Sequence, residues 1–552
     1  MPKLAGKHGL LKMLRAEGVE FIFGNPGTSE APIMDIMGEY PELNYVLVVQ
    51  EGVAIGMAEG YARATGNVAF VSLHIDNGMA NSLSLLIDSK YAGTPMVVTA
   101  GNKDVRKMAE GRSDLAEMAR PFTKWSAEVT HPEQFPSMIR RAFNEARTPP
   151  TGPVFLAFSA NSMDDEAEMD IIPSSQHFTS PLPDPAAIEM AAELVAHSER
   201  PMLIVGDRVG EHGGVEAAVK LAKQTGARVY GHGSAAVNFP TSHPQWLGGL
   251  NVRTAEAVDA IRSADVIVAA GAPVFDDFFY QPGQFVSPES KLIHIDIDPG
   301  AIGKSEPTDV GILASPKTGL EHLGHAVSNR MTGTQVESAR GRIEIVASES
   351  RAQAQQFEEA ARKAWNAHPM GPAAMAKALA DSLPRDAVIV NDAVSTSGQI
   401  NSAVRHDGPG TYFGARGGAI GWGMGLGMGV KLVNPQRPVV TVVGDGSAMM
   451  TVQALWTAVN SGIPVVYLIC NNASYRVLKV NMNHYRRLTN QPLPEKYFAM
   501  DFPTPFDFAA IARGFGVHGV RIENPDDLGP ELQKAIRSGK PAVLDVVIDG
   551  AV

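Results

Sequence analysis

The chain has 552 residues, which at roughly 150 residues per domain corresponds to three or four domains. Its 47 basic and 59 acidic side chains give a net charge of −12, so no basic excess points to nucleic acid or to an anionic membrane surface. The single cysteine, Cys470, excludes a disulfide scaffold and a thiolate metal cluster. No apolar run approaches about 18 residues and no signal-peptide pattern stands at residues 1–14, so we expect a cytoplasmic, multidomain protein without a membrane or nucleic-acid partner.

Short apolar runs alternate with helical patterns along almost the whole chain. Runs rich in β-branched and aromatic residues predict strands at 20–23, 44–49, 68–73, 96–99, 154–157, 202–205, 266–269, 292–297, 387–391, 439–443, 465–470 and 543–548. Helical patterns lie between them, the clearest over residues 52–64. Strands and helices that alternate at this spacing predict parallel sheets covered by helices on both faces.

Two changes of composition divide the chain. The segment 172–185 is rich in proline, serine and aspartate, and the segment 338–366 is polar, charged and rich in alanine. We therefore predict an α/β protein with three doubly wound parallel-sheet domains, at residues 1–180, 186–337 and 367–552. Residues 338–366 are predicted to form a helical connector between the second and third domains.

One segment of the last domain carries most of the chemical information. The apolar strand at 439–443 runs directly into Gly444, Asp445 and Gly446. A helix is predicted to begin at Ser447 and to end at Gly462, a residue type that commonly follows a helix. A strand-to-helix turn with a capping aspartate is the ordinary explanation of such a motif when it stands alone.

The next strand supplies a second polar group. It ends in Asn471 and Asn472, and the right-handed crossover rule places its end on the same sheet edge as Asp445. A carboxylate and an amide oxygen suit Mg²⁺, which keeps positions open for phosphate oxygens and water. The backbone N–H groups of Gly446 and Ser447 would favour an anion. These residues together predict a diphosphate site that is bridged by a metal ion.

The segment from Gly444-Asp445-Gly446 to Asn471-Asn472 resembles the signature of thiamine-diphosphate-dependent enzymes. Other stretches resemble the benzoylformate decarboxylase branch of that superfamily: residues 23–27 (Phe-Gly-Asn-Pro-Gly), 50–51 (Gln-Glu), 73–74 (Leu-His), 98–101 (Val-Thr-Ala-Gly), 271–275 (Gly-Ala-Pro-Val-Phe) and 454–458 (Ala-Leu-Trp-Thr-Ala). The resemblance covers essentially the whole chain. It implies a pyrimidine-binding, a central and a diphosphate-binding domain, with thiamine diphosphate and Mg²⁺ as cofactors.

The activity implied by this resemblance is the non-oxidative decarboxylation of a benzoylformate-like 2-oxo acid to an aldehyde and CO₂. Three alternatives stay open: a carboligase of the acetolactate synthase type, a homologue that binds the cofactor without catalysis, and a flavin in the central domain. The family also places each active site between two subunits. A homodimer is therefore the minimal unit and a homotetramer the expected assembly.

The resemblance assigns catalytic roles to three residues of the first domain. Glu51 would hydrogen-bond the aminopyrimidine ring of the cofactor, and the apolar residues that follow it should partly remove its carboxylate from water. His74 would move protons around decarboxylation, a role in which acetolactate synthases have no histidine. Thr28 stands where these decarboxylases have a serine that meets the substrate carboxylate.

Further residues are assigned to the cofactor and the substrate. Ile420, stiff at its branched Cβ, would be the wedge that bends the cofactor, beside the backbone carbonyl of Gly418. Phe278 occupies the position of a second histidine of benzoylformate decarboxylases, which is a departure from the family pattern. The remaining candidates are Ser395 and Thr396 at the diphosphate, Ser474 at Mg²⁺ through its backbone carbonyl, and Asp76, Asn77, Val477 and Leu478 in the substrate pocket.

Overall fold

The computed structural model describes residues 2–175, 179–233, 235–275 and 277–552. Three parallel sheets of six strands each follow one another along the chain, and helices flank all three. The predicted class, an α/β protein of three doubly wound domains, is confirmed. No helix within these ranges is both long and apolar enough to cross a membrane.

The first sheet belongs to the N-terminal part of the chain. Its region contains the strands β1 Lys3–Ala5, β2 Phe21–Gly24, β3 Asn44–Leu47, β4 Ala69–Leu73, β5 Met96–Asn102, β6 Trp125–Val129, β7 Pro153–Ser159 and β8 Glu166–Glu168. The helices are α1 Gly6–Ala16, α2 Ala31–Ile36, α3 Glu51–Thr65, α4 Ile75–Ala92, α5 Leu115–Ala119, α6 Phe135–Arg147 and α7 Ala160–Asp164, with short 3₁₀ helices at Thr28–Glu30, Met37–Glu39, Val105–Glu110, Arg120–Phe122 and Pro132–Gln134. The sheet order is β3-β2-β4-β5-β7-β6, and β1 pairs with β8 in a separate antiparallel ribbon.

The central sheet has the order β11-β10-β9-β12-β13-β14. Its strands are β9 Pro201–Gly206, β10 Arg228–His232, β11 Trp246–Gly249, β12 Val266–Ala270, β13 Lys291–Asp296 and β14 Val310–Leu313. The helices are α8 Pro185–Ala196, α9 Asp207–Glu211, α10 Val215–Thr225, α11 Ala255–Ser263 and α12 Pro316–Arg330, followed by the long helix α13 Gly333–Ala364. Helix α13 covers most of the predicted connector, whereas the domain limits themselves stay a prediction.

The third sheet has the order β16-β15-β17-β18-β20-β19. Its strands are β15 Val388–Asp392, β16 Tyr412–Gly414, β17 Val439–Gly444, β18 Val466–Asn471, β19 His518–Ile522 and β20 Ala542–Val547. The helices are α14 Pro372–Ser382, α15 Ser397–Ala403, α16 Trp422–Val433, α17 Asp445–Met450, α18 Ala454–Asn460, α19 Arg476–Leu488, α20 Phe508–Gly514 and α21 Pro525–Ser538.

Every predicted strand is present, and its ends differ from the prediction by up to three residues. The single helix predicted from Ser447 to Gly462 is wrong, because the chain leaves the helix after Met450 and starts a second one at Ala454. Thr451 lies at the break, and its hydroxyl donates to the carbonyl of Gly421 at 2.6 Å. A threonine hydroxyl that hydrogen-bonds a backbone carbonyl competes with the hydrogen bonds of a regular helix. This contact accounts for the end of helix α17 before Thr451.

The first and third sheets share one strand order, and this order creates two clefts. The direction of winding reverses between β2 and β4 in the first sheet and between β15 and β17 in the third. Clefts open at the carboxyl ends of the strands that flank such a reversal. The loop after β2 and His74 after β4 flank the first cleft, whereas Asp392 and Asp445 flank the second.

Helices α3 and α16 join the first and third domains through glycines. A Cβ on Gly60 would lie 2.2 Å from the carbonyl oxygen of Leu426, and a Cβ on Gly429 would lie 2.0 Å from that of Met57. Both glycines are buried, so the two helix backbones approach more closely than any side chain would allow. The pair belongs to one apolar core that spans both domains.

We expect Gly429→Ala to destabilise the protein by about 1–3 kcal/mol, since the added methyl group has no space. Gly341→Ala is the matched control, because Gly341 lies inside helix α13 with no atom near its Cβ position. That variant should gain about 0.5–1 kcal/mol from helix propensity alone. Thermal unfolding of both variants checks the expectation, and equal melting temperatures would contradict the close helix contact.

Candidate active site

The carboxylate of Glu51 is buried and held by two amides at the first cleft. Glu51 begins helix α3 and is only 5% exposed. Asn25, in the loop after β2, donates to Oε1 at 2.9 Å, and Asn81 of α4 donates to Oε2 at 3.0 Å. The two hydrogen bonds fix the plane of the Glu51 carboxylate. A side chain that must contact one particular atom of a ligand needs a fixed orientation of this kind.

His74 directly follows β4 and lies beside a buried glutamate, Glu30, that sequence reasoning missed. Its Nδ1 lies 3.1 Å from Oε2 of Glu30 and 2.9 Å from the hydroxyl of Ser29. Glu30 is 1% exposed and also accepts hydrogen bonds from the backbone N–H groups of Gly27 and Gly101, both at 2.9 Å. The imidazole is therefore fixed through Nδ1, and Nε2 has no hydrogen-bond partner among the described residues.

Glu51 and His74 lie on two sides of one glycine. A Cβ on Gly78 would be 3.3 Å from Oε1 of Glu51 and 3.3 Å from Cβ of His74. Thr28 is exposed at the start of the 3₁₀ helix after β2, two residues before Glu30. These residues share the carboxyl edge of the first sheet, as the sequence predicts.

The two predicted pocket residues that follow His74 differ in their surroundings. The hydroxyl of Ser113 donates to Oδ2 of Asp76 at 2.6 Å, and Asp76 is half-buried. Asn77 is exposed. The surroundings of His74 on this side are therefore polar.

A second cluster surrounds Asp445 at the second cleft. Its Oδ1 accepts from the N–H of Gly446 at 2.7 Å, and its Oδ2 accepts from the backbone N–H of Asn472 at 3.1 Å. The two strand ends thus meet, although Asp445 and Asn472 are 27 residues apart in the sequence. Burial of the carboxylate raises the pKa of Asp445 to about 6.

The loop after β18 turns its polar groups toward this carboxylate. Ala473 has a positive φ of 51°, and the backbone N–H of Ser474 donates to the side-chain oxygen of Asn472 at 3.0 Å. The hydroxyl oxygen of Ser474 is shielded from solvent and has no partner in the described part of the chain. A buried carboxylate, an amide oxygen and an unused hydroxyl form a set of oxygen donors that fits a hard divalent cation.

This oxygen set differs from a cluster of acidic or imidazole ligands. Within the described ranges, no group of three histidine, cysteine, aspartate or glutamate side chains could hold a metal ion. A cation at Asp445 would therefore depend on amide, carbonyl and phosphate oxygens for its other ligands.

The residues assigned to the middle of the cofactor lie in the loop before α16. Gly418 is exposed and Ile420 is half-buried, and the loop passes Gly421 in a left-handed conformation with φ of 96°. Ser395 and Thr396 follow β15 at the same sheet edge, Ser395 half-buried and Thr396 buried. The hydroxyl of Ser447 is used inside the protein, since it accepts from Gly421 N–H at 2.7 Å.

Three predicted pocket residues lie at the surface side of this cluster. Val477 and Leu478 occupy the first turn of α19, Val477 half-buried and Leu478 43% exposed. The ring of Phe278 is 88% exposed and lies next to the ring of Phe279, with ring centres 5.3 Å apart. Phe279 in turn packs on His484 of α19 at 5.4 Å.

The two clusters are not joined within one chain. No hydrogen bond or ion pair of the described residues links the side chains of Glu51 or His74 to Asp445, Asn472 or Ser474. A cavity of about 630 Å³ lies between the central domain, α13 and α15, but none of these five residues lines it. The candidate site is therefore distinct from that cavity.

Comparison with known proteins agrees with this geometry. Residues 4–120 match the N-terminal thiamine pyrophosphate binding domain of thiamine pyrophosphate enzymes, residues 188–323 match the central domain, and residues 392–546 match the C-terminal binding domain. The matched regions hold both clusters in the family's domain order. The chain belongs to the thiamine pyrophosphate enzyme family. The predicted family and its three-domain organisation are thus confirmed.

Relatives of this thiamine pyrophosphate enzyme include a benzoylformate decarboxylase from Pseudomonas aeruginosa, 29% identical over 97% of both chains. A probable acetolactate synthase large subunit from Methanocaldococcus jannaschii is 29% identical, over 99% of this chain and 92% of its own. Among solved structures, the benzoylformate decarboxylase of Polynucleobacter necessarius matches with a TM-score of 0.87 and 25% identity over 99% of both chains. The 4-hydroxybenzoylformate decarboxylase of Rhodococcus jostii RHA1 matches with a TM-score of 0.85 and 27% identity over the same share.

Sequence reasoning missed the residues that hold the others in place. Asn25, Glu30 and Asn81 show no periodicity that separates them from ordinary loop or helix residues. Asp392 did carry a usable signal, since it ends an apolar strand as Asp445 follows one. The same edge argument applied to β15 would have included it.

We expect Glu30→Ala to reduce both stability and turnover. The change leaves the donors of Gly27, Ser29 and Gly101 unpaired, which should cost about 3 kcal/mol, and it releases the imidazole of His74. Glu133→Ala, an exposed position in the same domain, is the control. Melting temperature and the turnover number check the result, and equal behaviour of the two variants would refute the role of Glu30.

Proposed function

We propose that this enzyme removes CO₂ from a benzoylformate-like 2-oxo acid without oxidation and releases an aldehyde. The observation that carries the proposal is the imidazole of His74, fixed on Glu30 and Ser29 at the cleft that also holds Glu51. By resemblance, acetolactate synthases lack this histidine, and the two solved relatives named above are decarboxylases. Release of an aldehyde requires that a proton be delivered to the substrate after CO₂ has left. The imidazole of His74 is a group that can deliver it.

Thiamine diphosphate, when bound, supplies the nucleophilic carbon and the electron sink that decarboxylation needs. Glu51 would hold a proton at the aminopyrimidine ring, with Asn25 and Asn81 keeping its carboxylate in one orientation. A proton on Nδ1 of His74 that is donated to Glu30 leaves Nε2 to move a proton at the substrate. Thr28 would meet the substrate carboxylate with its hydroxyl.

We assign Mg²⁺ to Asp445, Asn472 and Ser474. The support is the buried carboxylate of Asp445, which has no basic partner among the described ion pairs, together with the unused hydroxyl of Ser474. The diphosphate would lie against Gly444, Gly446, Ser447, Ser395 and Thr396. The Gly418 carbonyl would accept a hydrogen bond from the 4′-amino group of the aminopyrimidine. The Ile420 side chain would be the wedge between the two rings of the cofactor.

The substrate pocket is assigned to Asp76, Asn77, Phe278, Val477 and Leu478. Since the Glu51 and Asp445 clusters are not joined within one chain, we propose that a second subunit completes the site. The minimal unit is then a homodimer and the expected assembly a homotetramer. The exposed apolar side chains of Phe278 and Leu478 support a surface that a second subunit covers. The enzyme is proposed to act in the cytoplasm, where a free buried thiol such as Cys470 is usual.

A panel of 2-oxo acids with product analysis tests the proposed reaction. With thiamine diphosphate and Mg²⁺ present, we expect benzoylformate or a ring-substituted analogue to yield free aldehyde and CO₂. An acyloin as the main product would instead establish a carboligase. Absence of any turnover across the panel would contradict an enzyme of either kind.

Glu51→Gln serves as the variant that separates catalysis from binding. We expect it to lower turnover about 100-fold or more, because the side chain can no longer exchange a proton. Its dissociation constant for thiamine diphosphate should stay within about threefold, since glutamine keeps the shape and one acceptor oxygen. Glu39→Gln, an exposed position of the same domain, should leave both quantities unchanged. Equal turnover in the two variants would remove Glu51 from the mechanism.

A further inference from the structure

Asp392 joins three segments at the second cleft. It is the last residue of β15, it is 1% exposed, and its Oδ2 accepts three hydrogen bonds. The donors are the N–H of Gly421 at 3.2 Å, the N–H of Gly423 at 3.1 Å and the hydroxyl of Ser447 at 2.5 Å. One carboxylate oxygen thus connects β15, the loop before α16 and the turn after β17.

Asp392 lies very close to Gly423, and one of its two carboxylate oxygens makes no hydrogen bond within the described ranges. A Cβ on Gly423 would lie 2.5 Å from Cβ of Asp392, so the two backbones approach at a distance that only glycine permits. The other oxygen, Oδ1, is shielded from solvent and has no partner in the described part of the chain. A buried carboxylate with one unpaired oxygen lowers the stability of the fold. Stabilisation alone is therefore a poor explanation for Asp392 at this position.

The same loop is held from its other side by the first domain. Asp88 of helix α4 accepts from the N–H of Ala419 at 3.3 Å. A Cβ on Gly417 would overlap Oδ1 of Asp88, at 1.8 Å. Gly417–Gly423 is therefore a fixed element, with Asp88 near its start and Asp392 at its end.

The segments joined by Asp392 would hold the two ends of one ligand. Under the proposed function, Gly418 and Ile420 contact the aminopyrimidine, whereas Asp445 and Ser447 lie at the metal and the diphosphate. A ligand that spans two subsites binds tightly only if their separation is fixed in advance. We propose that Asp392 is a positioning residue that sets the separation between the pyrimidine loop and the diphosphate turn. This inference rests on the proposed function.

Asp392→Ala tests the proposal through whole and partial ligands. Calorimetry in the presence of Mg²⁺ should show thiamine diphosphate bound at least about tenfold more weakly by the variant than by the full-length wild type. The affinity for inorganic pyrophosphate, which occupies only the diphosphate subsite, should stay within about twofold. Asp392→Asn keeps an acceptor oxygen for the three donors and should restore most of the affinity for thiamine diphosphate.

Asp265→Ala is the matched control. Asp265 lies in the central domain and also accepts from one serine hydroxyl, that of Ser198, and from two backbone N–H groups, those of Glu199 and Arg200. The Asp265→Ala variant should lose stability without any change in its affinity for thiamine diphosphate. If Asp392→Ala does not fold, Gly423→Ala displaces Asp392 instead, because the added Cβ would lie 2.5 Å from Cβ of Asp392. That variant should show the same selective loss, by about threefold or more.

Two results would overturn the inference. Equal losses for pyrophosphate and for thiamine diphosphate would show damage to the diphosphate subsite rather than to the separation, and no loss for either ligand would remove Asp392 from cofactor binding. Failure of the proposed function has a different signature, because the wild type would then bind no thiamine diphosphate at all.

Discussion

A carboxylate that is withdrawn from water must be balanced by another charge, and Asp445 is the point where this constraint acts. It follows a strand that is buried at every position but the last, and it is itself 2% exposed. Its hydrogen-bond partners are backbone N–H groups, and burial raises its pKa to about 6. Removal of a charge from water costs several kcal/mol unless an opposite charge is supplied. In our proposal, a divalent cation that also binds a diphosphate supplies that charge.

The repeated strand order explains why the candidate site residues are divided between two domains. The first and third sheets reverse their winding at equivalent positions, and each cleft collects one of the two clusters of candidate residues. Glu51 and His74 belong to the first cleft, and Asp445 with Asn472 belong to the second. Helices α3 and α16 cross between these domains through glycines, so the domains are in rigid contact while their two clusters stay apart.

The sequence allowed the fold to be predicted where apolar runs are long and buried. Strands such as β17 and β18 are buried at nearly every position and were found to within one residue. Strands β6 and β19 were missed, because they lie at sheet edges and alternate too weakly between apolar and polar residues. The helix predicted from Ser447 failed at Thr451, whose tertiary contact with Gly421 is invisible to local propensity.

The candidate site could be predicted at the strand ends but not behind them. The edge argument brought Asp445 and Asn472 together, and the hydrogen bond between them confirms that proximity. Glu30 and Asn25 act through other side chains, and long-range contacts of this kind leave no periodic signal in a single sequence. Residues at the ends of strands, Asp392 among them, follow from topology, whereas Glu30 and Asn25 follow only from packing.

The most direct test of this account is a crystal structure of the enzyme with thiamine diphosphate and Mn²⁺ in place of Mg²⁺, with anomalous differences measured for the manganese. We expect a single strong peak between the carboxylate of Asp445, the side-chain oxygen of Asn472 and an oxygen of Ser474, in contact with both phosphates. A manganese peak at another place, or a coenzyme bound away from this sheet edge, would contradict the account.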